Sequence, residues 1–316
     1  MTTTKIAIGI DIGGTNTVWG MVNEQGQVLK KGKWSTKSYP QVENFVQQAA
    51  TTINELLQEH PTYSLAGIGI GAPNGNFFKG TIEFAPNLLW KGIIPLKVLF
   101  QQYFEVPVWV TNDANAAAIG EQQFGVAKGQ DNFVVVTLGT GVGSGFVVNG
   151  ELVYGHDGFA GELGHTIIEQ HGRLCGCGRK GCLETYASAT GIVRTAVEKL
   201  AQYEGETLLR QEETLSAQSI AYCAEQRDAL ALEIFDYTAQ QLGFSLANTV
   251  AITSPSLIVL FGGLAKAGNL ILAPTQRYME QNMLNIFQNK VVLALSTVPE
   301  DDAAVLGAAA LVWKNH

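Results

Sequence analysis

Two glycine-rich turns constrain the fold of this 316-residue chain more than any other feature. Gly13-Gly14-Thr15-Asn16 follows an apolar segment, and a second apolar segment after it ends at Val22-Asn23. Gly139-Thr140-Gly141 lies 126 positions later, and the apolar segment after it ends at Val148-Asn149. At this offset Val22 aligns with Val148 and Asn23 with Asn149. The offset exceeds the ~20–50-residue period of solenoid repeats, so the pattern indicates domain duplication.

Strand-like and helix-like segments alternate along the chain. Apolar residues at helical spacing occur in 40–59 and 226–252, and short buried strands are predicted at 65–71, 106–111, 256–261 and 291–295. Further helices are predicted over 93–103, 112–121, 270–286 and 302–313. This alternation predicts an α/β fold. We expect a small N-terminal domain of residues 1–112 and 301–316, and a larger domain of residues 113–300.

Composition excludes several classes of protein. The formal net charge of −8 argues against a nucleic-acid-binding surface. Charged residues make up 15% and hydrophobic residues 46% of the chain, which excludes a disordered protein. No segment has the ~20 apolar residues of a membrane span, and no signal peptide is evident. We therefore expect a cytoplasmic protein without membrane or nucleic-acid partners.

The glycine turns are candidate phosphate sites. A turn of this kind presents backbone N–H groups to anionic oxygens, and Asp11 at the preceding strand end can hold Mg²⁺. Two ordinary hairpins are the alternative interpretation. A third turn, Gly262-Gly263, follows a strand and faces either a nucleotide or only the next helix. The chain lacks a Walker-type loop and a dinucleotide fingerprint.

Four residues have the spacing of a metal site: His165, Cys175, Cys177 and Cys182. Three thiolates and one imidazole suit tetrahedral Zn²⁺, and four protein ligands predict a structural rather than catalytic ion. The alternative is a set of free thiols beside an unrelated histidine. Cys223 lies far away in sequence and is predicted to be a core residue.

Three carboxylates are candidates for chemistry. Asp113 lies where a predicted strand ends and a helix begins, so it either stabilises the helix N-terminus or takes a proton from a hydroxyl nucleophile. Glu162 and Glu184 flank the cysteine cluster. They are either solvated surface acids or acceptors for the hydroxyls of a polyol.

At these residues the chain closely resembles the ROK family of bacterial sugar kinases, repressors and open reading frames. The motifs that carry the resemblance are Asp11–Asn16, Asn112–Ala117, Gly161–His165 and Cys175–Glu184. The resemblance covers nearly the whole chain. It implies the two-lobed fold of the actin, hexokinase and heat-shock chaperone ATPases, a ribonuclease H-like α/β fold with duplicated mixed-sheet domains and an interdomain cleft.

The resemblance also implies roles for individual residues. Asp113 would be the general base for the sugar 6-hydroxyl, and His165 would contact sugar while binding zinc through its other ring nitrogen. The remaining predicted sugar contacts are Asn74, Gly75, Asn87, Asn112, Glu162 and Glu184. The predicted contacts to Mg-ATP are Asp11, Gly13, Gly14, Thr15, Asn16, Thr140, Gly141, Gly262 and Gly263.

The function that the sequence favours is an ATP-dependent glucokinase with a structural zinc ion. After Pro73, where many relatives have a Gly-Pro pair, this chain has Asn74-Gly75-Asn76. The version with Asn74 resembles a subset of glucokinases. Fructose, mannose, N-acetylmannosamine and N-acetylglucosamine remain alternative substrates. A sugar-sensing ROK repressor and a non-catalytic sugar-binding protein are alternatives of other classes. Homodimerisation is implied by the resemblance alone.

Overall fold

The structure, a computed structural model, describes residues 3–316. Its strands are β1 Thr4–Ile12, β2 Asn16–Asn23, β3 Val28–Ser35, β4 Tyr63–Gly71, β5 Gly75–Asn76, β6 Thr81–Glu83, β7 Ile93–Ile94, β8 Val108–Thr111, β9 Phe133–Leu138, β10 Val142–Val148, β11 Glu151–Leu152, β12 Leu257–Phe261 and β13 Val292–Leu295. Its α-helices are α1 Val42–Glu59, α2 Leu96–Gln101, α3 Asp113–Phe124, α4 Glu184–Ala187, α5 Ala189–Leu200, α6 Ala217–Glu225, α7 Ala229–Thr253, α8 Asn269–Asn282 and α9 Glu300–Lys314.

The chain divides into two compact units. Unit 1 extends to Gly129 and also contains Leu152–Ala160 and Thr297–His316. Unit 2 contains Gln130–Glu151 and Gly161–Ser296. None of the described helices is both long enough and apolar enough to cross a membrane.

Unit 1 is built on a five-stranded sheet in the order β3-β2-β1-β4-β8. Helix α1 buries its apolar stripe, including Phe45 and Ile53, in one core cluster with the strand residues. Helix α9 packs against β1, β2, β4 and α3. Its backbone approaches so closely that a Cβ at Gly9 would lie 2.2 Å from the Val305 carbonyl oxygen. Gly9 of β1 and Gly69 of β4, which both face the backbone of α9, let this helix lie directly on the sheet.

The boundary between the units differs from the one expected from sequence. The predicted second domain begins at residue 113, whereas unit 1 continues through α3 to Gly129. Helix α3 stays with unit 1 because it packs on α9, where Gly120 and Gly307 allow close backbone contact. The short segment Leu152–Ala160 also belongs to unit 1 although it lies between two parts of unit 2.

Unit 2 repeats the sheet of unit 1 with the strand order β11-β10-β9-β12-β13. In both sheets an antiparallel hairpin is followed by two further parallel strands. Helix α7 is largely buried and packs on α5 and α8. The α/β fold class predicted from sequence is confirmed by this architecture and by the solved structures described below.

The repeat differs in detail from the alignment at a constant offset of 126. Ala7 pairs with Val22, and the equivalent Phe133 pairs with Val147, so Val22 corresponds to Val147 and not to Val148. The second turn is one residue shorter: Gly13 N–H donates to the Asn16 carbonyl, whereas Gly139 N–H donates to the Gly141 carbonyl. The return strand of the second hairpin is therefore shifted by one position.

Other elements depart locally from the sequence prediction. The expected helix over 93–103 is β7 followed by α2, because Pro95 interrupts the segment and forms the N-cap position of α2. Helix α7 begins at Ala229 rather than near 226, since Arg227 has a positive φ and the Asp228 carboxylate accepts the N–H of Ala231.

Candidate active site

The carboxyl ends of three parallel strands bring candidate residues of unit 1 to one sheet edge. In the register of β1, β4 and β8, Asp11 pairs with Gly71 and Gly71 pairs with Thr111. Asn112 and Asp113 follow Thr111 directly. A Cβ at Gly71 would lie 3.3 Å from Asp11 Oδ1 and 3.8 Å from the Asp113 Cα. The lack of a side chain at Gly71 therefore leaves the two aspartates close to each other.

Both carboxylates are electrostatically unusual. Burial, and to a smaller extent the negative charge of Asp113, raises the pKa of Asp11 to about 7. Burial also raises the pKa of Asp113, although its carboxylate keeps access to solvent and the N–H of Ala114 lowers the pKa in part. Two crowded carboxylates form a site that suits a divalent cation or a proton acceptor.

The N-terminus of α3 fixes the direction of these groups. Asn112 is the N-cap residue, and its Oδ1 accepts the N–H of Asn115 at 2.6 Å. Asp113 is the first helical residue, and its Oδ1 accepts the N–H of Ala114 at 2.9 Å. The helix-capping interpretation and the catalytic interpretation of Asp113 are therefore compatible, since one carboxylate oxygen is engaged by the backbone.

The first glycine turn, residues 13–16, lies at the same edge because it follows β1. Gly13 N–H donates to the Asn16 carbonyl at 3.0 Å and closes the turn. The Thr15 carbonyl accepts the N–H of Thr36 at 2.9 Å. Thr15 and Asn16 are exposed and Gly13 and Gly14 are half-buried, so the turn can present backbone groups to a ligand.

The predicted sugar segments lie beside these groups in unit 1. Gly75 is buried, and a Cβ there would lie 2.2 Å from the carbonyl oxygen of Thr111. Asn74 has a positive φ, and its Nδ2 donates to the carbonyl of Glu83 at 3.0 Å. Its Nδ2 also donates to the Phe84 carbonyl at 3.4 Å, so the amide group holds the loop of Asn74 together and Oδ1 is the side-chain atom that can accept from a ligand. Asn87 is exposed next to Gly14.

Unit 2 places the second glycine turn, residues 139–141, at the end of β9. The Glu184 carboxylate lies against it: Oε2 accepts the N–H of Val142 at 3.1 Å. A Cβ at Gly141 would lie 2.1 Å from this oxygen. Thr140 is exposed beside the same contact. Glu184, predicted to be a sugar contact, is therefore hydrogen bonded to the turn that is predicted to contact phosphate.

The third glycine turn lies on the neighbouring parallel strand of unit 2. Phe261, the last residue of β12, pairs with Thr137 of β9. Gly262 has a φ of 101°, and a Cβ there would lie 3.0 Å from the backbone of Leu138. Gly263 is exposed and begins a short 3-10 helix, Gly263–Ala267. Both glycine turns of unit 2 thus lie at one sheet edge, where ligands of α/β proteins bind.

The cysteine–histidine cluster predicted from spacing is assembled in unit 2. The ligand atoms of His165, Cys175, Cys177 and Cys182 all lie within 4.8 Å of one another. Cys175 Sγ lies 3.7 Å from His165 Nδ1, and Cys177 Sγ lies 3.6 Å from Cys182 Sγ. Tetrahedral Zn²⁺ requires S–N separations of about 3.6 Å and S–S separations of about 3.8 Å. The donor set and its geometry therefore fit zinc.

The loop that carries Glu162 and His165 is fixed from behind by Ser144. The Ser144 hydroxyl donates to the Gly161 carbonyl and accepts the N–H of Leu163 at 3.2 Å. Arg179 donates to the carbonyl of His165 at 2.9 Å. Since Cys175 faces His165 Nδ1, the ring nitrogen that remains for another ligand is Nε2.

Several supporting residues were not singled out from the sequence. Ser144 supports the Glu162 loop, Thr190 donates to the Thr140 carbonyl at 2.7 Å, and Trp90 donates to the Tyr39 carbonyl at 2.9 Å. Their partners are main-chain carbonyls distant in sequence, which no local pattern specifies. Trp90 lies three residues after the predicted sugar contact Asn87, a signal that could have indicated it.

The chain is similar to known proteins over nearly its whole length. The family described as the ROK family matches residues 7–315. A glucokinase of Halalkalibacterium halodurans is 36% identical over 98% of this chain and 95% of its own length. A glucokinase of Thermotoga maritima is 34% identical over 96% of both chains. The solved structure of a ROK family glucokinase from Streptomyces griseus, in complex with glucose and AMPPNP, is 32% identical and has a TM-score of 0.79, covering 97% of this chain and 98% of its own.

Proposed function

Because the chain belongs to the ROK family, we propose that it is an ATP-dependent glucokinase that phosphorylates the 6-hydroxyl of glucose. Asp113 supports this proposal most directly. It is an aspartate with a raised pKa, at the edge where β1, β4 and β8 end, and Asp11 lies beside it. The near-full-length similarity to glucokinases supports the same substrate and phosphoryl donor.

Asp113 acts as the general base. Its Oδ1 accepts the N–H of Ala114, so Oδ2 takes the proton of the attacking hydroxyl. A carboxylate whose pKa lies above its usual range is a better proton acceptor than an ordinary aspartate. Phosphoryl transfer depends mainly on alignment and charge neutralisation, so holding Asp113 on the first residue of α3 is the main contribution of unit 1.

The glycine turns bind the phosphates through backbone N–H groups. Asp11 is the residue of unit 1 that helps to hold Mg²⁺. Carboxylate oxygens are the ligands that Mg²⁺ prefers, and the negative charge of nearby Asp113 favours a cation beside Asp11. When bound with ATP, the cation neutralises phosphate charge. Gly262 and Gly263 of unit 2 lie against the nucleoside part of ATP.

The zinc cluster has a structural role in this proposal. All four protein ligands are present, which leaves no open position for catalysis. His165 would hold the ion through Nδ1, which faces Cys175, and would offer Nε2 to a sugar hydroxyl. Glu162 and Asn112 complete the predicted sugar contacts together with Asn74, Gly75, Asn87 and Glu184. Homodimerisation and a cytoplasmic location stay predictions from the resemblance.

Asp113→Asn tests the proposal. Asparagine keeps an oxygen that can accept the Ala114 N–H, but it cannot take a proton. We expect glucose-dependent release of ADP from Mg-ATP to fall by about 10³-fold or more while glucose binding persists. In the wild type, kcat/KM for glucose should fall towards acidic pH as the carboxylate is protonated. Full activity of the variant would contradict the role of Asp113.

A panel of hexoses and N-acetylhexosamines tests the substrate. We expect glucose to give the highest kcat/KM. A preference for fructose, mannose or an N-acetylhexosamine would keep the kinase mechanism and change the substrate. Failure of zinc-loaded protein to phosphorylate any of these sugars would contradict the proposed activity.

A further inference from the structure

The segment 86–90 of unit 1, which carries Asn87, packs directly on the first glycine turn. A Cβ at Gly14 would lie 2.5 Å from the Asn87 carbonyl oxygen and 3.2 Å from the Asn87 Cβ. Gly14 does not have the positive φ that would itself require glycine. The missing side chain at Gly14 is therefore required by the close approach of Asn87 rather than by the conformation of the turn.

The same segment is attached to the turn by a second route. The indole Nε1 of buried Trp90 donates to the Tyr39 carbonyl at 2.9 Å. The short 3-10 helix that precedes Tyr39 begins at Thr36, whose N–H donates to the Thr15 carbonyl. The Thr36 hydroxyl is also hydrogen bonded to the hydroxyl of Thr17 at 2.9 Å, in a buried position.

These contacts form a closed ring within unit 1. It runs from Gly14 to Asn87, along the chain to Trp90, across to Tyr39, and back through Thr36 to Thr15. A displacement of the segment 86–90 must therefore move the glycine turn or break hydrogen bonds, of which the one from Trp90 is partly buried. Because each broken bond costs free energy, the ring favours joint movement.

We propose that Gly14 is a positioning residue for the sugar: it sets the position of Asn87, so the sugar-binding segment and the phosphate-binding turn of unit 1 behave as one body. This inference rests on the proposed function, which makes Asn87 a sugar contact and the turn a phosphate contact. The role of Gly14 then extends beyond contacting ATP. Because linkage is reciprocal, glucose and nucleotide each strengthen the binding of the other through this ring.

Gly13 is the matched control because it belongs to the same turn but faces elsewhere. A Cβ at Gly13 would lie 2.8 Å from the Asn16 carbonyl oxygen, and its only other neighbour within 4 Å is the Asn16 carbonyl carbon. Gly13→Ala therefore disturbs the turn without touching the segment 86–90. A difference between the two variants in sugar affinity reports the contact between Gly14 and Asn87.

The experiment measures glucose binding by calorimetry in the absence of nucleotide, on zinc-loaded protein. We expect Gly14→Ala to weaken glucose binding by about 10-fold or more, because the methyl group displaces Asn87 by roughly an ångström. Gly13→Ala should weaken it by less than about 3-fold but should weaken binding of a non-hydrolysable ATP analogue. Equal glucose affinities of the wild type and Gly14→Ala, or equal losses in both variants, would overturn the inference.

Trp90→Phe keeps the test informative if Gly14→Ala does not fold. Phenylalanine keeps an aromatic ring near Phe45, whose centroid lies 4.9 Å from that of Trp90, and removes the bond to Tyr39 together with part of the indole volume. In the wild type, glucose should tighten binding of the ATP analogue by a certain factor, the ratio of its affinities with and without glucose. In Trp90→Phe we expect this factor to be about 3 to 5 times smaller. An unchanged factor would contradict the ring. Wild-type protein that phosphorylates glucose while these variants bind it normally would contradict this inference alone, whereas wild-type protein that neither binds nor phosphorylates glucose would contradict the proposed function as well.

Discussion

The first and second glycine turns close equivalent hairpins in sheets of the same strand order, but different neighbours support them. The first turn lies under Asn87 and is bonded to Thr36 of the 3-10 helix after β3. The second turn is bonded to the junction of α4 and α5: Gly139 accepts the N–H of Ala189 through its carbonyl, and Glu184 accepts the N–H of Val142. The two hairpins thus share a backbone arrangement, but the residues that contact their turns are unrelated.

Because of this difference, substitutions at equivalent positions of the two turns should affect ligand binding differently. The support of the first turn carries the predicted sugar contact Asn87. The support of the second turn, Glu184, is also a predicted sugar contact, but it leads to the cysteine–histidine cluster as well, since its Oε1 lies 3.6 Å from Cys175 Sγ. Changes at the first turn should therefore appear in sugar binding. Changes at the second turn should appear in nucleotide binding and should depend on the metal.

Cys182→Ser should have the largest effect, because it removes a buried ligand of the cluster. We expect loss of the bound zinc, a fall in the free energy of unfolding of several kcal/mol, and about a 100-fold or greater loss of activity. Elemental analysis, thermal unfolding and the ADP-release assay measure the three effects. The second turn loses its support through Glu184, so affinity for an ATP analogue should fall with the zinc content.

Cys223→Ala is the control for Cys182→Ser. Cys223 is also a buried cysteine of unit 2 but lies in the hydrophobic core formed by α6 and its neighbours. This variant should keep one zinc ion per chain and its affinity for the ATP analogue, with a stability loss of about 1 kcal/mol for the smaller side chain. A metal-free but stable and active Cys182→Ser protein would contradict the structural role of zinc.

Much of the fold could be predicted from the sequence, because apolar periodicity and turn residues are local signals. The long helix α7 and the strands that precede the glycine turns show this. The boundary at Gly129, rather than near residue 113, could not be predicted, since α3 is held in unit 1 by its packing on α9, which is distant in sequence. The one-residue difference between the two hairpins could not be predicted, because an alignment at a constant offset does not detect that the second turn is shorter.

The candidate site was predictable where the chemistry is local. The spacing of His165, Cys175, Cys177 and Cys182 indicated a cluster that the structure assembles. The contact of Gly14 with Asn87 and the contact of Glu184 with Val142 could not be predicted, because each joins segments that meet only through the tertiary fold. The glycines at these contacts look identical in sequence to glycines that only serve a turn.

Gly141→Ala is the counterpart of Gly14→Ala and directly tests the comparison of the two turns. Its methyl group would collide with Glu184 Oε2, which would have to leave the N–H of Val142. We expect affinity for the ATP analogue to fall by about 10- to 30-fold, from the loss of a charge-assisted hydrogen bond and the displaced turn. Calorimetry without glucose measures this effect.

The comparison requires different outcomes for the two substitutions. Gly14→Ala should weaken glucose binding in the absence of nucleotide, and Gly141→Ala should weaken binding of the ATP analogue in the absence of glucose. Identical profiles for the two variants would show that both turns serve the same ligand in the same way. The difference between their supports would then have no functional meaning.

Asp11→Asn tests the crowded carboxylates at the first turn. The pKa of Asp11 is about 7 in the folded protein and 3.8 as a reference value, so folding favours the protonated form. The ionisation of Asp11 therefore costs the wild type stability as the pH rises from about 4 to about 7, and the variant lacks this contribution. We expect the variant to be more stable at pH 8 by roughly 1 to 3 kcal/mol and equally stable near pH 4.

Denaturant unfolding in Mg²⁺-free buffer at a series of pH values measures the gap for Asp11→Asn. The same variant should lose activity, because asparagine is a weaker ligand for Mg²⁺. A stability gap that does not change with pH would show that Asp11 is not held in a desolvated, negatively charged setting. The opposite sign at pH 8 would mean that the carboxylate stabilises the folded protein.

Thr190→Val should have the smallest effect and sharpens the contrast between the supports. The Thr190 hydroxyl donates to the Thr140 carbonyl at 2.7 Å, and valine keeps the shape of the side chain but cannot donate. Since the residue is exposed and water can replace the bond, the loss is at most about 1 kcal/mol, or about a 2- to 5-fold increase in KM for ATP. Glucose affinity without nucleotide should stay at the wild-type value, because only the second turn is changed. Thr190→Ser, which keeps the hydroxyl, is the matched control and should restore the KM for ATP. Glucose affinity that falls in Thr190→Val as much as ATP affinity would show that the two turns share one support after all.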